Sequence, residues 1–226
     1  MNQTRTYGVE FEFKGNRAQV AAAIRSAGIE ILDTFSYHRN YEGSNNSWEL
    51  KYDSSVGRGG MEIVSPKLVG DEGLEEIKTV LTAINSTGAR VDSNCGTHIH
   101  LGMTEEIEAG DLKVARNVEL LATRWAHSIN QLLAPSRRTE GYCRTKTTQI
   151  RIEASSDYGW NLHNMENMLN QIKADFSSMR SLSRTSYAHQ RYRAINFENF
   201  VKASSRFNRT RSFSGTLPTI EIRSHQ

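Results

Sequence analysis

Four short stretches of the chain alternate polar and apolar residues, and their polar members are groups that hold metals or phosphates. They are Val9-Glu10-Phe11-Glu12-Phe13, Met61-Glu62-Ile63-Val64, Thr97-His98-Ile99-His100-Leu101 and Ile220-Glu221-Ile222-Arg223. Successive side chains of a β-strand point to opposite faces. Glu10 and Glu12 therefore share one face, with Val9, Phe11 and Phe13 on the other. His98 pairs with His100 in the same way, and Glu221 with Arg223. Gathered in one sheet, the stretches line a single surface with four carboxylates, two imidazoles and a guanidinium. Such a surface suits divalent cations and phosphate.

Any one Glu-x-Glu strand reads first as the solvated face of an antiparallel sheet. A generic wet face carries Lys, Thr, Ser and Gln, however, whereas these four carry acids, histidines and one arginine. The His-x-His pair also lies between Gly96 and Gly102, which permit close backbone approach. A solvated strand has no need of that frame.

At 226 residues the chain is long enough for one sizeable core, and a single domain over 1–226 is expected. Its 37% hydrophobic and 23% charged residues describe a soluble globular protein. No apolar run approaches a membrane span, and Met1-Asn2-Gln3-Thr4-Arg5 does not begin a signal peptide. No membrane partner is expected. Cys95 and Cys143 lack metal-type spacing and read as free thiols of a reducing compartment, so the expected location is cytoplasmic. Cys95 is expected to be a small buried residue at a turn. The net charge of +3 is unevenly spread: Arg180, Arg184, Arg191, Arg193, Lys202, Arg206, Arg209 and Arg211 fall between Phe176 and Pro218 with Glu198 as the one acid. That run suits a solvated face, a nucleic-acid surface or the cationic lining of a phosphate pocket.

Periodicity predicts a helix over Asn16 to Ala27 closed by Gly28, strands over Ile29 to Tyr37 and Trp48 to Asp53, and a Ser/Gly loop over Ser54 to Gly60. Pro66 ends the Glu62 strand because it lacks an amide donor. Asp71 to Thr87 reads as a helix with Leu74, Ile77, Val80, Leu81 and Ile84 as its buried stripe. Arg90 to Asp92 enters the sheet ahead of the His-x-His strand. One long helix is expected from Thr104 to Leu133, with Leu112, Val114, Leu120, Leu121 and Trp125 as core and Pro135 closing it. Another covers Asn161 to Ala174, and strands return over Tyr192 to Phe197 and Leu217 to Ser224. The pattern predicts an α+β fold: a mainly antiparallel sheet with helices packed on one face and the polar site on the other.

Magnesium and manganese favour carboxylate oxygens, and manganese also accepts imidazole. Glu10, Glu12, Glu62, one of His98 and His100, and Glu221 supply ligands for two such ions, whose remaining positions suit phosphate oxygens. Phosphoryl transfer is catalysed mainly by positioning and charge neutralisation. Arg223, on the face of Glu221, is suited to bidentate phosphate contact. No Walker-type loop or Rossmann fingerprint is present, so a nucleotide would rest on metals, arginines and sheet surface.

These residues resemble the amidoligases, a family assigned to the glutamine-synthetase-like fold of carboxylate–amine ligases. The matching stretches, in the family's order and nearly end to end, start with Tyr7-Gly8-Val9-Glu10-Phe11-Glu12-Phe13, Lys51-Tyr52-Asp53-Ser54-Ser55 and Glu62-Ile63-Val64-Ser65-Pro66. Cys95-Gly96-Thr97-His98-Ile99-His100-Leu101-Gly102 and Thr219-Ile220-Glu221-Ile222-Arg223 complete them, with weaker matches at Arg137 to Cys143 and at Arg191-Tyr192 with Asn196. The resemblance implies ATP-dependent amide or peptide bond formation through an acyl phosphate, with a carboxylate and an amine as substrates; peptide, protein, metabolite and sugar nucleotide all stay open as their source. It implies that Glu10 and Glu12 divide between two Mg2+ or Mn2+ ions. Glu62 would join one, and His98 or His100 with Glu221 the other. Arg223 would stabilise the transferring phosphoryl group, and Asp53 would supply a further carboxylate. Lys51, Ser54 and Arg191 would join Arg223 around the nucleotide, with Arg191 also counted as catalytic. Relatives run on past Glu-x-Arg, whereas here only Ser224, His225 and Gln226 follow. The last strand is thus expected at an exposed edge, open to completion by a second copy or a partner chain.

Two other readings compete. His-x-His also suits zinc and an activated water in a hydrolase, but no third histidine has metal-ligand spacing and the carboxylates favour harder ions. Single-stranded nucleic acid would use Tyr187, Tyr192, Phe197, Phe200, Phe207 and Phe213 interleaved with arginines. The plainer expectation is that these aromatics are core. An inactive ligase remnant is a further possibility, tied to the short C-terminus.

Overall fold

A computed structural model describes residues 4–33, 46–132, 162–185 and 194–225. The chain forms two compact units, one spanning Met1–Gly102 and the other Met103–His225.

In the first unit β1 (Thr6–Lys14), β2 (Ile31–Asp33), β3 (Trp48–Tyr52), β4 (Gly60–Val64) and β6 (Thr97–Gly102) lie in the order β2-β3-β4-β1-β6, and the short β5 (Leu68–Val69) also pairs with β1. Every pair is antiparallel except β2 with β3. Helix α1 (Arg17–Ser26) begins where the Asn16 side chain accepts the amide of Gln19, 3.2 Å away, and stops at Gly28, whose φ of 82° lies in the left-handed region. Helix α2 (Gly70–Ser86) carries Asp71 and Glu72 in its first turn, where the helix dipole favours them.

The apolar members of the alternating strands supply the core. Val9, Phe13, Leu50, Met61 and Ile63 pack with Val20 and Ile24 of α1 and Val80 and Ile84 of α2. Each large side chain enclosed in this way contributes about 1.5–3 kcal/mol, which commits the other strand face to the polar residues. A one-residue slip would exchange the two sets. On α2 the expected stripe is shifted: Leu74 and Leu81 are 40% and 39% exposed, and Gly73 and Ala83 take buried places. The Tyr7 ring explains this. Its hydroxyl donates to Gly70 O at 2.9 Å and lies against Gly73, so the helix is seated about 100° away from Leu74. Of the strand expected over Ile29 to Tyr37, Ile31–Asp33 is observed, and residues 34–45 lie outside the described set. Arg90 makes only an isolated bridge to Lys14.

The second unit contains α3 (Thr104–Ala109), α4 (Lys113–Leu132), α5 (Leu162–Asp175), α6 (Met179–Leu182), β7 (Ile195–Asn196), α7 (Glu198–Thr210) and β8 (Thr219–His225). Its core gathers Met103, Ile107, Ala115, Ile172, Phe176, Leu182, Phe197, Phe200 and Ile220. The single helix expected from Thr104 to Leu133 is two. Gly110, at φ 66°, ends α3, and Asp111 Oδ1 accepts the Lys113 amide at 2.8 Å at the start of α4. Leu112, Val114 and Leu120 pack against the core as expected, but Leu121 and Trp125 are 59% and 53% exposed. Ala115, Glu119 and Thr123, at i, i+4 and i+8, hold the buried side of α4 instead.

Helix α7 and the short α6 have no counterpart among the expected elements. Phe200, Val201, Ala203 and Ser204 are the buried side of α7, beneath a surface rich in Lys and Arg. Phe197 and Phe200 are fully enclosed, and Phe207 stacks on Phe213 at 4.9 Å against the core. These four aromatics are structural, and the two enclosed ones present no face to a base. Tyr187 and Tyr192 lie outside the described residues.

Candidate active site

On the polar face of the first unit, strand register does most of the positioning. Glu10 lies opposite His98, Gly8 opposite His100, and Glu62 opposite both Glu12 and Lys51. The two oxygens of Glu10 are divided between the histidines: Oε2 accepts from His98 Nδ1 at 2.9 Å and Oε1 from His100 Nε2 at 3.1 Å. The remaining nitrogen of His98, Nε2, stands 3.9 Å from Glu12 Oε1. One imidazole thus spans the two acids of the Glu-x-Glu strand.

Burial pushes the Glu10 carboxyl upward, but hydrogen bonds from His100 and His98, with their positive charge, outweigh it and hold the group well below the ordinary carboxylate range. Glu62 moves the opposite way. Burial and then the Glu10 charge push it well above that range, with Lys51 opposing and Asp53 adding to the rise. The two neighbouring carboxylates are thus driven apart, Glu10 by the imidazoles beside it and Glu62 by burial and the Glu10 charge.

Asp53 and Ser54 enter through the loop after β3. Asp53 Oδ1 accepts the Ser55 amide at 2.7 Å and starts a 3-10 turn over Ser54–Val56. Gly60 makes that turn possible, because a Cβ there would lie 2.6 Å from both the Asp53 carbonyl and Val56. Lys51 Nζ contacts Glu49 Oε2 at 2.9 Å. Within the first unit two groups of donors result, each with ligand atoms mutually within 4.8 Å: Glu10, Glu62 and His98; and Glu12, Asp53 and Glu62. Glu62 belongs to both. The glycine frame is real at Gly102, where any side chain would collide with Thr6.

In the second unit Glu221 and Arg223 share a face of β8, with Arg223 Nη1 3.1 Å from Glu221 Oε1. The other oxygen, Oε2, accepts from Asn196 Nδ2 at 2.7 Å in a buried contact. The main chain of Arg223 is fixed by its amide donating to Ala194 O at 2.8 Å. Arg191, expected at the nucleotide, lies outside the described residues, as does the stretch Arg137 to Cys143.

The family described as putative amidoligase enzyme matches residues 3–226. The chain belongs to the amidoligase family. No curated protein and no solved structure matches it. The family name describes a ligase, and the carboxylates and His98 of this amidoligase could bind a metal.

Some features of this amidoligase are not visible in its motifs. Glu49 reads from sequence only as the polar side of β3, yet it pairs with Lys51 on the site face. Asn196 is a weak motif match whose contact with Glu221 spans 25 residues. The signal that could have found it is local: Asn two residues before Glu198, at the start of an amphipathic helix, is the pattern of a side chain receiving a helix amide. Lys14 is on the Glu10/Glu12 face but is committed to Asp92 at 2.6 Å. Cys95 is buried as expected, receives the Asp92 amide at 3.4 Å, and has its thiol pushed up by that burial. Among the described residues no helix is long and apolar enough to cross a membrane.

Proposed function

We propose that this amidoligase is an ATP-dependent carboxylate–amine ligase working with two divalent cations. The observation that supports it most is the double donor set joined at Glu62, set on one sheet face by strand register. Four carboxylates are hard oxygen donors, and beside a single imidazole they make a set that fits Mg2+ or Mn2+ better than zinc. Glu10, Glu62 and His98 would hold one ion, and Glu12, Asp53 and Glu62 the other, with His100 orienting Glu10. When bound, the cations neutralise phosphate charge. Glu221 takes the ligand role, and Arg223 the role of stabilising the transferring phosphoryl group, that the family resemblance implies; Lys51, Ser54 and Arg191 take the nucleotide.

In the reaction, an oxygen of the carboxylate substrate attacks the γ-phosphorus of ATP and the bond to the bridging oxygen breaks, releasing ADP. The amine then attacks the acyl carbon of the acyl phosphate, phosphate leaves, and the surplus ammonium proton passes to a base. The fold is proposed to be glutamine-synthetase-like on the same resemblance.

Hydroxylamine trapping tests the mechanism. With ATP, Mn2+, hydroxylamine and a panel of amino acids and acidic peptides, an acyl phosphate appears as a hydroxamate. The reading predicts ATP-dependent hydroxamate with at least one carboxylate and none from Glu62→Gln. Hydroxamate formed without ATP would contradict the acyl-phosphate route.

A further inference from the structure

Glu221 is 5% exposed and Asn196 4% exposed, so neither can rely on water for its hydrogen bonds. They lie opposite one another in the β7–β8 ladder, which brings their side chains together on one face. Asn196 Oδ1 accepts the amide of Glu198 at 2.9 Å, the first residue of α7. That amide can only donate, so it dictates which end of the Asn196 side chain is oxygen. The NH2 end is then directed at Glu221 Oε2, 2.7 Å away. With Arg223 on Oε1, both carboxylate oxygens have a set direction.

We infer that Asn196 is a positioning residue, coupling the start of α7 to the orientation of the Glu221 carboxylate, and that this orientation sets cation affinity at Glu221. The inference rests on the proposed reading of Glu221 as a cation ligand. A neutral amide suits this position better than a second charged residue would. It fixes the carboxylate without competing for a cation, as Lys would by charge, and without repelling the acid, as Asp would. Ser or Thr at this position still accepts the Glu198 amide through its hydroxyl, but is too short to hold Glu221 as well. The two duties of Asn196 are therefore separable.

The test is Mn2+ titration of the full chain followed by electron paramagnetic resonance, on wild type, Glu221→Gln and Asn196→Ser, with Asn196→Thr should the serine variant fail to fold. Folding is followed by thermal melting. Metal-positioning contacts typically change affinity by about 10–100-fold, so Asn196→Ser is expected to weaken, by about tenfold or more, the same Mn2+ that Glu221→Gln weakens. Other bound Mn2+ stays at wild-type affinity. A residue that only caps α7 would leave all Mn2+ affinities unchanged in Asn196→Ser. That result, with Glu221→Gln still defective, overturns the inference and leaves the ligase reading standing. If wild type binds no Mn2+, or Glu221→Gln binds it as wild type does, the role of Glu221 fails, and the inference fails with it.

Discussion

Glu12 and Glu62 stand directly opposite one another across β1 and β4, on the same face of the sheet. Like charges in that relation destabilise a sheet by about as much as opposite charges stabilise it, about 0.2–1 kcal/mol, and here Glu10 is a third acid beside them. Relief of that repulsion should be visible as stability. Above the raised Glu62 value, where the group is ionised, Glu62→Gln is expected to raise the melting temperature of the cation-free protein while abolishing the stabilisation that Mn2+ gives to wild type. A variant less stable than wild type without cation would show that Glu62 is held by its surroundings and not repelled by them.

The opposed shifts of Glu10 and Glu62 give opposite pH signs. For Glu62 the folded value lies above the unfolded one, so its contribution is fully present below the ordinary glutamate range and is lost as pH rises through the raised value. For Glu10 the folded value is depressed; its contribution is present above the ordinary range and is lost as pH falls through the lowered value. Below its raised value Glu62 carries a proton that a cation must displace. Calorimetric Mn2+ titrations in buffers of different ionisation enthalpy should show proton release on binding. The release should shrink as pH passes above the Glu62 value and disappear in Glu62→Gln. Release of equal size in Glu62→Gln would assign the proton elsewhere.

Glycines near the site divide into two kinds. At Gly60 a Cβ would meet the Asp53 carbonyl and Val56 at 2.6 Å, whereas at Gly8 the nearest atom, Ser65 Oγ, is 3.5 Å away. Gly60→Ala is expected to cost about 1–3 kcal/mol through overpacking and to weaken cation binding by displacing Asp53. Gly8→Ala should leave both nearly unchanged. Denaturant unfolding with Mn2+ titration checks the pair, and equal effects from the two variants would contradict the loop geometry.

Gly110 carries a third contrast. Were α3 and α4 one continuous helix, Gly110→Ala would stabilise it by about 0.8–1 kcal/mol. With Gly110 at φ 66°, the same change should instead destabilise the protein, by about 1–2 kcal/mol. The sign of the change in unfolding free energy decides between them.

That contrast shows what was legible in this chain. The Glu10/Glu12, Glu62 and His98/His100 strands could be read because a period of two is a local property, and burial of Val9, Phe13 and Ile63 then dictates the face of their neighbours. Asp53 joined Glu12 and Glu62 because the turn after β3 follows from local Ser and Gly chemistry. The break at Gly110 was hidden by apolar residues that keep helical spacing on both sides of it. Leu74 and Leu121 misled because a helix stripe is chosen by what it packs against, the Tyr7 ring in one case and the second unit's core in the other. Helix α7 was obscured by the charged residues interleaved with its apolar ones, of which Lys202 and Arg209 are exposed while Arg206 is half-buried. Asn196 is marked locally by its place before Glu198, but its pairing with Glu221 depends on two strands meeting across 25 residues, which no local pattern encodes.

The most direct test of the central claim is calorimetric titration with a non-hydrolysable ATP analogue, with and without Mn2+, on wild type and on Glu12→Ala with Glu62→Gln. The account predicts binding in the micromolar range that requires Mn2+ and is lost in the double variant, with both proteins folded by circular dichroism. Binding that ignores the cation or survives the double variant, or no binding to wild type, would contradict the assignment of this carboxylate face to a nucleotide-dependent ligase.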